Sequence, residues 1–313
     1  MSTSTPAVAS SPDTRRGARL RRRSGSRNQT KIIFIAPAAI LFAVIVIVPI
    51  LVNFFYSFTD WTGFGSTFHL VGITNFLHLA TDSQTQQAFL NTVVFTVCNA
   101  PLQIGLGLLL AVTLKHSGRF VSFLRLIIVM PIAISGVVLG FLGTVIFDPN
   151  SGLLKAASTF PGLHILAQNW LGSPSLAMGT VVAMNLWQWS GFTMLIFLAG
   201  LSTIPGELYE AATLDGAGRW NQFRHVTWPL LAPAVTINVV LTLIGGLKIF
   251  DIIYVLTLGG PGTATESIVM RVTAEGSFAQ YGYSAAIDFV LTAIILVVSL
   301  VALRLLRRRE LSA

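Results

Sequence analysis

Residues 207–233 read ELYEAATLDGAGRWNQFRHVTWPLLAP, a polar, small-residue stretch set between two long apolar runs. Ser202 and Thr203 are helix N-cap residue types and Pro205 suits a first turn, so a helix is predicted to open here. Glu207 and Glu210 then fall near its positive end, where carboxylates are favoured. Leu208 to Ala212 favours helix, and Asp215-Gly216 ends it, because Asp caps and Gly enters the left-handed region freely. A second short helix is predicted from Ala217 or Arg219 to about Val226, stopping before Trp228-Pro229. The result is a helix-turn-helix whose corner carries Ala211, Ala212, Gly216 and Ala217, small enough for another protein to approach the backbone. An amphipathic elbow in the headgroup layer would account for Trp220, Phe223 and Trp228, but not for the small corner.

The rest of the chain is strongly apolar. Of 313 residues, 10% are charged and 53% hydrophobic, and the mean hydropathy is +0.75. A soluble chain carries about 25% charge. Six runs are long enough to cross a bilayer, which takes about 20 residues each: 32–58, 89–114, 123–147, 176–200, 235–258 and 285–306. Helix is the only spanning option without period-two alternation, since backbone groups in hydrocarbon need internal partners. An all-α polytopic membrane protein of six transmembrane helices is therefore expected. The single cysteine, Cys98, lies in the second run, which leaves no internal disulfide and suggests a packed thiol. Pro37, Pro49, Pro101, Pro131, Gly136, Gly140, Gly143, Gly245 and Gly246 lie within the runs, where close helix packing and bends around a solute path are both compatible readings.

Charge placement sets the orientation. Of the 20 lysines and arginines, 17 fall in the tail 1–31, the 115–125 connection, the polar insert and the C-terminal end. The opposite loops, 59–88, 148–175 and 259–284, hold Lys155 and Arg271 alone, and Lys248 lies inside a run. The positive-inside rule then places both termini and the insert in the cytoplasm. The Arg/Ser-rich segment 1–31 reads as a disordered tail that holds topology and touches anionic lipid, and Arg307–Arg309 in the cytoplasmic tail 307–313 hold topology and touch lipid at the other end, so the net charge of +8 does not imply nucleic-acid binding. The first apolar run is too long for a signal-peptide core, so cleavage after it is not expected.

At this point the chain resembles a known family. Glu210-Ala211-Ala212, Asp215-Gly216-Ala217, Phe223, Pro229 and Pro233, with the Ile204-Pro205 lead-in, look like the EAA loop of permease subunits of bacterial ABC importers. Phe250-Asp251, Tyr254 to Thr257, Gly259-Gly260-Pro261 and Thr265-Glu266 are similar to its carbohydrate-uptake branch, in particular the first, maltose- and glycerol-phosphate-type permease. The resemblance implies a type I importer architecture, a permease core over 89–306 and a coupling loop over 203–233, with 32–58 as an added first helix. Glu210, Ala211, Ala212, Asp215, Gly216, Ala217 and Phe223 would dock a pair of ABC ATPase subunits. The short 59–88 loop departs from maltose-type subunits that carry a large extracytoplasmic domain. A homologous second permease and an extracytoplasmic solute-binding protein are the further partners implied. No lysine here follows a glycine, so a phosphate-cradling GxxxxGK[ST] loop is absent. The chain is expected to bind no cofactor and no metal, with ATP and magnesium on the ATPase subunits, and to catalyse no reaction itself.

The solute path is read from polar groups inside the runs. Asn185, Trp187, Gln188 and Trp189 place amides among aromatic rings, a combination suited to a sugar's hydroxyls and apolar faces. Lys248 and Asp251 stand at i and i+3 in the fifth run, on one helical face. A charge at mid-bilayer costs about 2.5–3.5 kcal/mol on insertion scales, so this pair either locks the bundle or faces the solute. Asn91, Asn99 and Gln103 are further candidates, with interhelical hydrogen bonding as their ordinary role. The sequence thus implies import of a sugar or related solute, leaving monosaccharide, oligosaccharide, polyol and glycerol phosphate open. A secondary transporter of a small polar solute is the alternative, but such chains usually show duplicated halves. A membrane-embedded enzyme is disfavoured, since His69, His78, His116, His164 and His225 form no ligand spacing.

Overall fold

The computed structural model describes residues 35–310, with side chains through 308. The basic tail 1–31 lies outside the described residues. The chain divides into two units, Met1–Leu51 and Val52–Ala313. In the first, the described part, 35–51, is helical with one π turn at Ala43–Ile47 and exposes its apolar side chains.

Apart from one antiparallel bridge between Thr59 and Leu70, the described residues are helix, turn or loop, so the all-α expectation holds. Helix α1 covers Ile35–Tyr56, α2 Thr74–Thr81 and α3 Ser83–Thr113. A bent pair follows, α4 at Arg119–Val129 with a 3-10 turn at Met130–Ala133, then α5 at Gly136–Ile146. The short α6 is Leu153–Ala157 and the long α7 is Pro174–Ser202. The elbow comprises α8, Gly206–Leu214, and α9, Arg219–Leu230, which leads into α10, Ala232–Leu247. Three helices complete the order: α11 at Asp251–Leu256, α12 at Ile268–Ser277 and α13 at Tyr281–Glu310. Four helices, α1, α3, α7 and α13, are each long and apolar enough to span a bilayer. The pairs α4–α5 and α9–α10, bent by 102° and 66°, bring the count to six if each is one span.

Several sequence-predicted boundaries are corrected. The run 235–258 is not one helix: α10 stops at Leu247 and α11 begins at Asp251. Gly245-Gly246 weakens the helix just before that point, and Phe250 leaves it at φ −145°, ψ −64°. Lys248 and Asp251 therefore do not share a helical face. Ser202 and Thr203 end α7 rather than start α8, because their hydroxyls donate back to the carbonyls of Ala199 and Gly200. Pro205 is the N-cap of α8. The second elbow helix does not stop before Trp228-Pro229 but continues to Leu230, through a π turn at Phe223–Thr227. The π turn places Pro229 in the first turn of a new α segment, where its missing N–H costs little. Cys98 is exposed on α3 rather than packed.

The core gathers around α3 in three clusters. Phe95 packs with Leu139, Val181, Met184 and Ile253 of α5, α7 and α11. Ala88 packs with Ile268 of α12 and Tyr283, Ile287 and Leu291 of α13. Ala111 packs with Met194 and Phe197 of α7 and with Leu231 and Ala234. Lipid tails are as apolar as leucine, so association here relies on close packing rather than on escape from water. Along α5, Gly136, Gly140 and Gly143 form the contact with α11: a Cβ on Gly140 would lie 2.6 Å from Val255 Cβ, and one on Gly143 2.6 Å from Leu256 Cδ1.

On the side of the 259–284 loop, charges fix α12 against α3. Arg271 bridges Glu275 at 2.6 Å and Asp82 at 3.5 Å, all three side chains being largely buried. Burial alone would raise the Asp82 pKa. Hydrogen bonds from Thr85, Tyr283 and the Gln84 N–H, with the Arg271 charge, instead bring it down to about 2. Burial, the charge of Arg271 notwithstanding, pushes Glu266 nearby upward, and Glu275 and Asp82 add to that rise.

Two predictions come from this packing. Gly140→Leu should cost about 1–3 kcal/mol by overpacking; Gly105→Leu, where a Cβ meets nothing within 4 Å, should be nearly neutral. Unfolding of the two variants in detergent checks both. Arg271→Leu should cost about 3 kcal/mol by stranding Glu275 and Asp82. Because the Asp82 pKa is depressed, its contribution is present above its ordinary value and is lost as pH falls through about 2. Asp82→Asn should remove that acid dependence, measurable as a flatter stability profile below about pH 4.

Candidate functional site

A cavity of about 500 Å³ lies where α10 breaks, walled by α3, α7, α10 and the α10–α11 connection. Its polar lining comprises Asn99, Gln103, Asn185, Gln188, Thr193, Asn238, Thr242, Lys248 and Asp251, with Trp189 and Phe192 as aromatic walls. Asn185, Gln188, Trp189 and Phe192 recur at helical spacing, so one face of α7 supplies all four. Trp187 points off that face, is exposed and does not line the cavity, which corrects its place among the path residues.

The lining divides into groups already bonded and groups left open. Gln188 donates to the Ile134 carbonyl at 2.9 Å, satisfying a backbone acceptor freed by the bend between α4 and α5. Asn99 donates to Gln103 and Gln103 to Thr193, both at 3.0 Å, tying α3 to α7. Asn99 is 2% exposed, yet its Oδ1 has no donor, and a buried acceptor left so is costly. Asn238 donates to the Ala234 carbonyl within its own helix. The Asn185 side chain makes no hydrogen bond among the described residues. Lys248 and Asp251 are both exposed to the cavity, and no ion pair joins them among the described residues. The locking pair, one of the two roles the sequence allows them, is thus not formed.

Asn238 and Thr242 join the lining without having stood out in the sequence. They are four residues apart in an apolar run, a spacing that puts both on one face of α10, and that is the available signal. Asn91 is not a lining residue; it donates to the carbonyls of Thr263 and Glu266 at 2.7 and 3.1 Å. The segment 263–266 is thereby held on α3, and neither it nor the 259–262 turn before it borders the cavity. Among the described residues no cluster of His, Cys, Asp or Glu suits a metal ion.

The elbow is built by a specific helix end. The Gly216 N–H donates to the Thr213 carbonyl at 3.0 Å and the Ala217 N–H to the Ala212 carbonyl at 2.9 Å. With Gly216 at φ +78°, this is the Schellman arrangement, in which a left-handed residue lets two N–H groups satisfy the last carbonyls of α8. Ala212 and Ala217 are the residues that approach across it. Asp215 is the C-cap of α8 and does not cap α9, whose N-cap is Gly218. Gln222 fixes the angle between the arms, donating to Thr213 Oγ1 at 3.0 Å and the Ala217 carbonyl at 3.1 Å. Glu210, Ala211, Asp215 and Gly216 are exposed, and Phe223 is half-buried, flanked by the rings of Trp220 and Trp228. Leu214 is 89% and Trp220 70% exposed, an apolar pair on a polar elbow.

With both features in place, the chain can be set beside known proteins. Residues 103–310 match the model of the family described as binding-protein-dependent transport system inner membrane component. The chain belongs to that family.

The matched residues include the whole elbow, α10 and the break beyond it, and leave out α1, α2 and the part of α3 that carries Asn99. A probable ABC transporter permease of Pyrococcus horikoshii is 37% identical over 86% of this chain and 92% of its own length. The multiple sugar-binding transport system permease protein of Streptococcus mutans is 34% identical over 88% and 95%. The trehalose/maltose transport system permease protein of Thermococcus litoralis is 31% identical over 89% and 94%. A bacterial ABC transporter involved in import of the acidic polysaccharide alginate superposes with a TM-score of 0.78 at 22% identity, covering 90% of this chain and 96% of that one. That likeness extends over most of both chains and shows a shared fold.

Proposed function

We propose that this chain is the permease subunit of an ATP-driven importer that carries a sugar or closely related solute across the inner membrane. The observation that carries the reading is the continuity from elbow to cavity. The exposed Schellman corner leads through α9 directly into α10, whose Asn238, Thr242 and Gly245 wall the polar cavity. A force applied at the corner therefore acts on the solute path through unbroken main chain. Two of the relatives above are named for sugars, and amides beside Trp189 and Phe192 suit a polyhydroxylated solute with apolar ring faces.

A homologous second permease completes the path, and a pair of ABC ATPase subunits, which hold ATP and magnesium, receives the elbow. Glu210, Ala211, Ala212, Asp215, Gly216, Ala217 and Phe223 form the docking face. An extracytoplasmic binding protein delivers the solute on the side of the 59–88, 148–175 and 259–284 loops. Both termini and the elbow are cytoplasmic, and this chain catalyses no reaction itself. Asn185, Trp189, Lys248 and Asp251 contact the solute, while Gln188 holds the α4–α5 bend.

The test is ATP hydrolysis by the complex reconstituted with its binding protein across a panel of sugars, polyols and glycerol phosphate. One solute should stimulate hydrolysis and be taken up. Gly216→Val forces a β-branched residue to φ +78°, a strain of at least about 1–2 kcal/mol. It should lower uptake about tenfold while the membrane core still folds. No stimulation by any of these solutes, in an intact complex, would overturn the sugar class; no co-purifying ATPase would overturn the importer reading.

A further inference from the structure

Tyr209 sits in α8 one residue before Glu210 and turns the other way, half-buried beneath the exposed corner. Its hydroxyl lies 3.0 Å from Thr227 Oγ1, a buried hydroxyl in the π turn of α9. Its ring lies under Lys115, with Nζ 5.4 Å from the ring centroid, within the range of a cation–π contact. Lys115 opens the turn that follows α3. That turn is itself fixed from α4: Arg125 donates through Nε to the Leu114 carbonyl at 3.0 Å and through Nη2 to the carbonyls of Leu114 and His116. One side chain thus meets both arms of the elbow and the corner between α3 and α4.

Of the cavity walls, α10 and α3 connect to the elbow by different routes. The α10 wall follows it through the main chain. The α3 wall, which carries Asn99 and Gln103, packs against α7 and α10 within the bundle and touches the elbow at Tyr209 through Lys115. We propose that Tyr209 is a positioning residue that makes the elbow and the α3–α4 corner move as one body, so that displacing the elbow acts on both cavity walls. This rests on the reading that ATPase subunits drive the elbow. Its contribution is additional to the exposed docking residues, since Tyr209 faces inward.

The test uses the full complex with its ATPase subunits and second permease, in a Cys98→Ser background. Spin labels are placed at Ser117→Cys and Glu207→Cys, both exposed, and their separation is measured without nucleotide and with ATP and vanadate. With Tyr209 present, the separation should be the same in both states. Tyr209→Leu should make it differ between the states, and should raise the ATP hydrolysed per solute imported several-fold. Tyr209→Phe, which keeps the ring under Lys115 and loses only the hydroxyl contact, should fall between. A separation that changes between states with Tyr209 present would overturn the proposal. So would a Tyr209→Leu complex that assembles with unchanged separation and an unchanged ATP-to-solute ratio. If no ATPase co-purifies, the proposed function itself falls and this inference with it; the two label outcomes overturn the inference alone.

Discussion

Backbone amides in hydrocarbon have no water to fall back on, and that constraint governs where this chain is allowed to stop being helical. An unpaired N–H or C=O facing lipid costs several kcal/mol. Irregular backbone at membrane depth is tolerated where protein covers it or where it borders a polar cavity. Two irregular points here obey this. The bend after Ala133 frees the Ile134 carbonyl, and Gln188 supplies its donor from α7. The break after Leu247 opens onto the cavity itself. The position of the cavity and the positions of the breaks are therefore one fact.

The same solvent removes the usual driving force for a core. Burying Leu139 or Phe197 gains little over leaving it in lipid, so the bundle depends on how closely backbones approach. Glycine on α5 brings α11 near enough that a methyl group would overlap Val255 or Leu256. This close approach holds the short helix beyond the break in place, and with it Asp251, whose Cβ lies against Gly136. On the 259–284 side the device changes to charge, with Arg271 between Asp82 and Glu275. That arrangement belongs to a region where polar groups are denser and each can be paired.

How legible each feature is in the sequence follows from how local its signal is. The corner at Asp215-Gly216-Ala217 depends on one left-handed residue and its neighbours, so the residues alone disclose it. Long apolar runs likewise announce helices. The π turn at Phe223–Thr227 has no such mark, because the residues around it favour an ordinary helix until Pro229 has to be accommodated. Lys248 and Asp251 look like neighbours on one helix because nothing in a window of ten residues shows that Gly246 must pack against Thr96 and that the helix ends there. Trp187 and Trp189 look alike in composition, and helical phase alone separates the ring that lines the cavity from the one that does not. Asn238 and Thr242 are hidden by being few among apolar neighbours.

The break also resolves the charges that look expensive in the sequence. A lysine buried in lipid would cost about 2.5–3.5 kcal/mol on insertion scales, and an Asp three residues on would serve as its neutralising partner if the helix continued. With the helix broken, no ion pair joins the two side chains among the described residues, and both line the polar cavity. There the cost of each charge is set by the cavity's own polarity instead of by hydrocarbon. Lys248 also lies close enough to Asp288 of α13 for their charges to act on each other, and Asp288 accepts from Asn53 at 2.7 Å. Ionic groups at this depth are thus compatible with stability because the fold places a polar space beside them. Closing that space in the course of transport would raise their cost again. A rearrangement that moves α10 relative to α3 must then either keep Lys248 hydrated or bring it nearer a carboxylate, and this couples the charge to the state of the path.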